Sequence, residues 1–203
     1  MRKLALIGAG GHGKVLANIA KKMGYEKIIF FDDCKSEKEG YPYPIVGRIC
    51  EAETCDCEVA VAIGDAKIRQ KLLEELEQKA IKIPTLIHPN AIIAEDVEIG
   101  KGAVIMAGVV LQPGCKIGKG CIINTCASVD HDSKVGDYVH VAVGVHLAGN
   151  VKVEARTWIG AGATISDHVC ICSDCIIGAG AVVVKDITEM GTFIGVPARR
   201  KTF

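Results

Sequence analysis

From Ile87 to Thr188 the chain can be cut every six residues without a gap, into 17 hexads running from IHPNAI through VDHDSK and VGDYVH to VVKDIT. Every hexad opens on Ile, Leu or Val, and its fifth residue is always Ala, Val, Cys, Ser, Thr or Ile. Two inward sites therefore recur in each six residues. A strict hexapeptide period of this length is the signature of a parallel β-helix. With three hexads per turn, 18 residues make one coil, and residues 18 apart stack about 4.8 Å from rung to rung. Sequence spacing thereby becomes a surface map.

On the face built from the hexads starting at 123, 141, 159 and 177, the second column reads Asn124, Ala142, Gly160, Gly178. The third reads Thr125, Val143, Ala161, Ala179, and the fourth Cys126, Gly144, Gly162, Gly180. The upper rungs are nearly bare backbone, so a long, thin, extended ligand can lie along the axis and hydrogen-bond to exposed amides. The competing reading is that glycines only make the turns, since G-x-G recurs around Gly100 and Gly118. The same map places Cys115, Cys121 and Cys175 at the inward fifth site, where a small apolar side chain is wanted. The segment HVCICSDC has metal-ligand spacing, but Cys170 and Cys172 fall in different hexads and phases, and no metal is expected there.

The segment SVDHDSKVGDYVH gathers His131, His140, Asp130, Asp132 and Asp137 in a chain with 6 histidines. His131 is third in its hexad, with Pro113 below and Gly149 above, and is expected to point into open space. His140 is sixth in its hexad, beside the smooth stripe, with Trp158 one rung above. Nine residues are half a coil, so the two histidines occupy different faces of one chain. A β-helix of triangular section with a flat face closes naturally as a symmetric trimer, in which His131 of one chain would face its neighbour's groove. A zinc site needs three converging histidines, and His131, His140, His146 and His168 offer no pair 18 apart. Acid/base work fits better, because histidine titrates near neutrality and Asp132 can orient the ring and raise its basicity. Asp130 and Asp137 read as surface or turn residues.

Before the repeats the pattern differs. KLALIGAG reads as a strand, HGKVLANIAKKMG as a helix with Val15, Leu16, Ile19, Ala20 and Met23 at helical spacing, and KIIFFDD and EVAVAIG as further strands through Asp33 and Gly64. Asp65 is placed to cap a helix from Ala66 to about Lys79, burying Ile68, Leu72, Leu73 and Leu76. Strands alternating with helices predict a parallel sheet with any ligand at the strands' carboxyl ends. Gly8, Gly10 and Gly13 form G-x-G-x-x-G at a strand-to-helix turn, where a diphosphate can approach backbone N–H groups, and Asp32 and Asp33 can accept from a ribose or base. About 84 residues make one mononucleotide half, not a dinucleotide fold; the competing reading is that the glycines only let helix and strand pack closely. The expected fold is an α/β Rossmann-like half-domain, residues 1–84, followed by an all-β parallel β-helix with a short tail, residues 85–203, left-handed as in the three-hexad coils that this pattern resembles.

Lys plus Arg and Asp plus Glu number 24 each, so no long-range field draws nucleic acid or an acidic membrane. No apolar stretch is long enough to span a bilayer, and the basic, briefly apolar start breaks into glycines too soon for a signal peptide. The 10 cysteines, scattered through a long chain, are expected as reduced thiols in the cytoplasm.

GAGGHGKV and FFDD, then an unbroken hexapeptide array with NTCASVDHDSKVGDYVHVAVGVHLAGNV, closing on GTFIGVPARR, resemble bacterial sugar acetyltransferases. The resemblance is to those that N-acetylate UDP-4-amino-4,6-dideoxy sugars for bacillosamine-type glycans, with sialic acid O-acetyltransferases as relatives. It implies that Gly10, Gly11, His12, Asp32, Asp33 and Gly64 line a nucleotide-sugar pocket and that His131 is the general base. It also implies that His140, Ala161 and Ala179 contact acetyl-CoA as cosubstrate, with Asn124 near the reacting amine and no metal required. Where the family carries glutamate after that histidine, this chain has Asp132. Two rival readings stand beside it: an O-acetyltransferase acting on a sugar hydroxyl, and a non-catalytic nucleotide-binding scaffold. An oxidoreductase reading of the glycine pattern would require tight NAD binding, which is not expected.

Overall fold

The computed structural model describes residues 1–34 and 43–202, and the chain divides into two compact units, Met1–Pro89 and Asn90–Phe203. The dividing point lies five residues beyond the expected 84 because the strand Leu86–Ile87 packs on the first helix of the first unit. In that unit β1 (Lys3–Ile7), β2 (Lys27–Phe31), β3 (Ile45–Gly47) and β4 (Glu58–Val61) form one parallel sheet in the order β3-β2-β1-β4. Helices α1 (Gly11–Lys22) and α2 (Ala66–Gln78) follow β1 and β4. β2 and β4 end at Phe31 and Val61, before the predicted Asp33 and Gly64, although the next residues, Asp32 and Ala62, still donate to the carbonyls of Gly47 (3.0 Å) and Ile7 (2.7 Å). β3 was not anticipated, being three residues long and defined only by its pairing with Phe30 and Phe31.

Leu4, Leu6, Leu16, Ile19, Phe30, Val59, Leu73 and Leu76 make the core of this unit. The helix phases need correction. Val15 is exposed, and on α2 Ile68 is 52% exposed while Arg69 is 1% exposed. The buried stripe is therefore Arg69, Leu73 and Leu76. The Arg69 guanidinium donates to the carbonyls of Ile63 (3.0 Å) and Gly64 (2.7 Å) just past β4, so a buried charge is stabilised by hydrogen bonds that hydropathy cannot register. Asp65 caps α2 as expected, accepting from Ile68 N–H at 2.9 Å. A second correction concerns the thiols: Cys55 and Cys57 are joined in a disulfide, their Cα atoms held 5.3 Å apart across one intervening residue.

The second unit is a left-handed parallel β-helix. Its two-residue strands each join the sixth position of one hexad to the first of the next, and residues 18 apart pair in register: Ile122 with His140, His140 with Trp158, Ser128 with His146, Lys116 with Lys134. First-position residues from Ile105 to Val183 and fifth-position residues from Ala103 to Ala181 are buried, which stacks two apolar columns per face inside the coil. Ile93 and Ile99, near the open end, are only half-buried. Thr192–Ile194 adds a strand beside Ile176–Ile177, and Arg199–Arg200 turns back antiparallel to it.

Every fourth position from Gly102 to Gly180 has a positive φ, whether it holds glycine or a side chain such as Cys126, Asp132 or Arg156. The coil turns its corners there, and the non-glycine occupants adopt a left-handed conformation that the fold imposes on them. Polar groups at the inward fifth site follow an equally regular rule. Cys115, Cys121, Ser133 and Thr157 donate to the carbonyls of Asp130 (3.1 Å), Gly136 (3.0 Å), Ala148 (3.0 Å) and Cys172 (2.9 Å), each fifteen residues on. The two hydroxyls also accept from N–H groups one rung up, Val151 (3.0 Å) and Cys175 (3.2 Å). A thiol or hydroxyl at this site is thus a hydrogen-bond donor to a corner carbonyl as well as a filler of space.

Candidate active site

At the carboxyl end of β1, Gly8 takes φ +104° where an added Cβ would strike the Ala62–Ile63 backbone and side chain. Gly10 and Gly11 open α1, and an added Cβ at either meets nothing within 4 Å. No side chain caps this helix, and an uncapped helix N-terminus is suited to an anion. Asp32 braces the loop: its carboxylate accepts from Ala9 N–H (2.7 Å) and Cys34 N–H (2.9 Å). Asp33 accepts from Ile49 N–H at 2.9 Å. Both aspartates thus organise backbone. Gly64 is exposed, its carbonyl held by Arg69.

His12 stands apart. Burial, and secondarily the nearby Arg69, push its pKa down to about 4, so the ring is neutral at pH 7, and its buried Nε2 has no partner among the described residues. Arg69 is the element that sequence reasoning missed here. Its signal would have been a cation at the i−4 position of a leucine stripe, which periodicity alone assigns to solvent.

In the β-helix, His131 lies at a corner with its ring exposed. Nδ1 is 2.9 Å from Asp132 Oδ2, and the His131 N–H donates to Asp130 Oδ1 at 2.8 Å. The Asp132 hydrogen bond, followed by the charge of Asp130, raises the His131 pKa above its ordinary value. Asp132 owes its aim to the left-handed fourth position, φ 60°. Directly above, Gly149 leaves the ring its room: a Cβ there would sit 2.5 Å from Nε2 and 2.7 Å from Cε1. A second glycine, Gly114, makes the same allowance for the Asp132 carboxylate, 2.7 Å from where its Cβ would be.

The stripe is smooth and open. Val143, Ala161 and Ala179 are exposed, and an added Cβ at Gly144, Gly162 or Gly180 meets nothing within 4 Å. Gly162 and Gly180 donate to the carbonyls of Val143 and Ala161, both at 2.9 Å, whereas the N–H groups of Val143, Ala161 and Ala179 have no acceptor among the described residues. Those are the amides an extended ligand can engage. His140 borders the stripe, its Nε2 3.3 Å from Asn124 Nδ2 and its ring edge-on to Trp158 at 6.5 Å.

The structure thus brings together His131 with Asp132, Asn124 with His140, and Ala161 with Ala179. It keeps His131 and His140 apart: His140 lies in a strand of the eight-stranded sheet, whereas His131 lies in the turn between Ser128–Val129 and Lys134–Val135, strands of the other two sheets of the coil. His146 bonds Ser128 Oγ (2.8 Å) and His168 bonds Asp167 (3.0 Å). Among the described residues no three His, Cys, Asp or Glu side chains are grouped to hold a metal ion. A groove of 540 Å³ on the third face, lined by Lys116, Lys134 and Lys152, contains none of the expected site residues. No helix among the described residues is long and apolar enough to cross a membrane.

Both units of the chain match known proteins. Residues 3–76 match the family described as PglD N-terminal domain, and residues 84–113, 99–131 and 150–185 match the bacterial transferase hexapeptide (six repeats). The chain is 31% identical over 188 residues to GDP-perosamine N-acetyltransferase of Escherichia coli O157:H7, spanning 89% of this chain and 85% of that one. It is 35% identical over 114 residues to UDP-N-acetylbacillosamine N-acetyltransferase of Bacillus subtilis, spanning 53% and 52%. The acetyltransferase domain of PglB from Neisseria gonorrhoeae, solved with acetyl coenzyme A, superposes with a TM-score of 0.94 at 38% identity over 98% of this chain and 99% of that one. With both domains matched and their order preserved, the chain belongs to the sugar N-acetyltransferases that join a PglD-type N-terminal domain to a hexapeptide-repeat β-helix.

Proposed function

We propose that this acetyltransferase moves the acetyl group of acetyl-CoA onto the 4-amino group of a UDP-linked amino-dideoxy sugar, with His131 as general base. The observation that carries the proposal is the His131–Asp132 pair at an open corner of the coil. Asp132 accepts from Nδ1–H, which leaves Nε2 as the basic nitrogen. An ammonium cannot attack a thioester, so Nε2 takes a proton from the sugar amine as its lone pair adds to the acetyl carbonyl. The tetrahedral oxyanion then collapses, expelling coenzyme A thiolate, and backbone N–H groups stabilise the oxyanion.

In this reading the pantetheine chain of acetyl-CoA lies along Ala161 and Ala179, bonding their open N–H groups, with His140 at the border. Gly10, Gly11 and the α1 N-terminus receive the nucleotide diphosphate, with His12, Asp32, Asp33 and Gly64 around it, and Asn124 lies near the amine. Three copies assemble so that His131 of one faces the stripe of the next, and the enzyme works in the cytoplasm.

A GDP-linked sugar is the second reading, favoured by the 31% identity to the E. coli GDP-perosamine enzyme. Coenzyme A release measured against UDP- and GDP-linked 4-amino sugars, with sialic acid as a hydroxyl acceptor, separates these. Preference for the UDP amino sugar is expected, and activity only with sialic acid would overturn the amine assignment. His131→Ala should lower turnover at least about a hundredfold, the scale of a lost general base, with the trimer retained by sedimentation. Near-normal turnover would remove His131 from the role.

A further inference from the structure

The inward cysteines of the coil are not alike. Cys115 and Cys121 donate their S–H to corner carbonyls at 3.1 and 3.0 Å. Cys175, at the same inward phase and 1% exposed, does not repeat that contact. Its sulfur reaches the Glu189 carbonyl only at 3.8 Å and lies 3.5 Å from the sulfur of Cys172, which is half-exposed. The backbone around the pair is firmly held: Thr157 donates to the Cys172 carbonyl (2.9 Å) and accepts from Cys175 N–H (3.2 Å). Two thiols are therefore presented to each other across a fixed turn, one buried and one reachable from solvent.

We propose that Cys172 and Cys175 form a dithiol modification site that closes to an intrachain disulfide on exposure to a low-molecular-weight disulfide. The sulfurs stand at van der Waals contact and need approach by only about 1.5 Å to reach the bond length of about 2.05 Å. With oxidised glutathione the accessible Cys172 thiolate attacks one sulfur of the oxidant and releases one glutathione thiolate. Cys175 then loses its proton and attacks the Cys172 sulfur, releasing the second. Two S–H bonds are lost and one S–S bond forms, and the two electrons and two protons end on two glutathione thiols. Burial, reinforced by Cys172, holds the Cys175 thiol well above its ordinary pKa, so the second step quickens as pH rises.

The test uses the full-length Cys170→Ser variant, so that the tryptic peptide spanning residues 157–185 retains only these two cysteines. The protein is treated with oxidised glutathione at pH 7 and pH 9, its remaining thiols are alkylated, and the digest is weighed. The expected result is a peptide 2 Da lighter and unalkylated, formed faster at pH 9, reverted by dithiothreitol and abolished by adding Cys172→Ser. A peptide that remains doubly alkylated, or that stops at one glutathione adduct, overturns the proposal.

Discussion

The His131 ring occupies the space that Gly149 leaves by having no side chain, and Gly149→Ala tests whether catalysis depends on that space. An alanine Cβ would stand 2.5 Å from Nε2, 2.7 Å from Cε1 and 3.1 Å from Cδ2. Ordinary contacts between such atoms are about 3.5–4.0 Å, so the imidazole must retreat by about 1 Å. The ring is exposed, so it can move without disturbing the core. The backbone of Gly149 lies outside the left-handed region, so alanine is conformationally acceptable there. Stability should therefore change by no more than about 1 kcal/mol, in the stabilising direction if the loss of unfolded-state freedom dominates. Activity behaves differently, since a displacement of about 1 Å of a reacting group costs about a hundredfold. Coenzyme A release gives kcat, and thermal unfolding of the same sample gives Tm. The expected pair is a kcat lowered by about two orders of magnitude with Tm unchanged or slightly raised. A kcat within about threefold of the parent would refute the reasoning, because the ring would then work equally well from a displaced position.

Asp132→Asn replaces the charged acceptor beside Nδ1 with a neutral amide and so weakens the interaction that raises the His131 pKa. The base acts as neutral imidazole, so activity is lost as pH falls through that pKa, and the acidic limb of kcat/KM should move to lower pH in the variant, with a lower plateau; an unmoved limb argues against the pairing. His12, lowered from 6.5 to about 4 by burial, binds a proton more readily in the unfolded chain. Stability should therefore fall as pH drops from 6.5 towards 4, by at most about 3 kcal/mol, and urea unfolding at pH 7 and 4.5 should show a smaller loss in His12→Gln. Ser133→Ala strands the buried Val151 N–H and Ala148 carbonyl and should cost about 1–3 kcal/mol in urea unfolding. Ser133→Cys, which supplies the donor used at Cys115 and Cys121, should recover part of that loss.

The six-residue period was enough to place the β-helix, its inward columns and its rung spacing, because a residue buried in every rung leaves the same mark each time it recurs. It also located the stripe from Val143 to Gly180 and set His131 and His140 on different faces, since a phase in a regular coil is a position in space. In the first unit the alternation of strands and helices and the G-x-G-x-x-G turn carried the parallel sheet. What the sequence could not decide depended on partners distant along the chain. Arg69 is buried and Ile68 is not because two carbonyls past β4 accept the guanidinium, and no local pattern records an acceptor. Asp32 reads as a ligand group from its place at a strand end, yet it also braces the Gly8–Gly13 loop through Ala9. The contact between Cys172 and Cys175, and the room that Gly149 makes for the His131 ring, exist only once the coil is wound. Periodicity determines which side of the wall a residue occupies, and the packed rungs alone determine what it touches there.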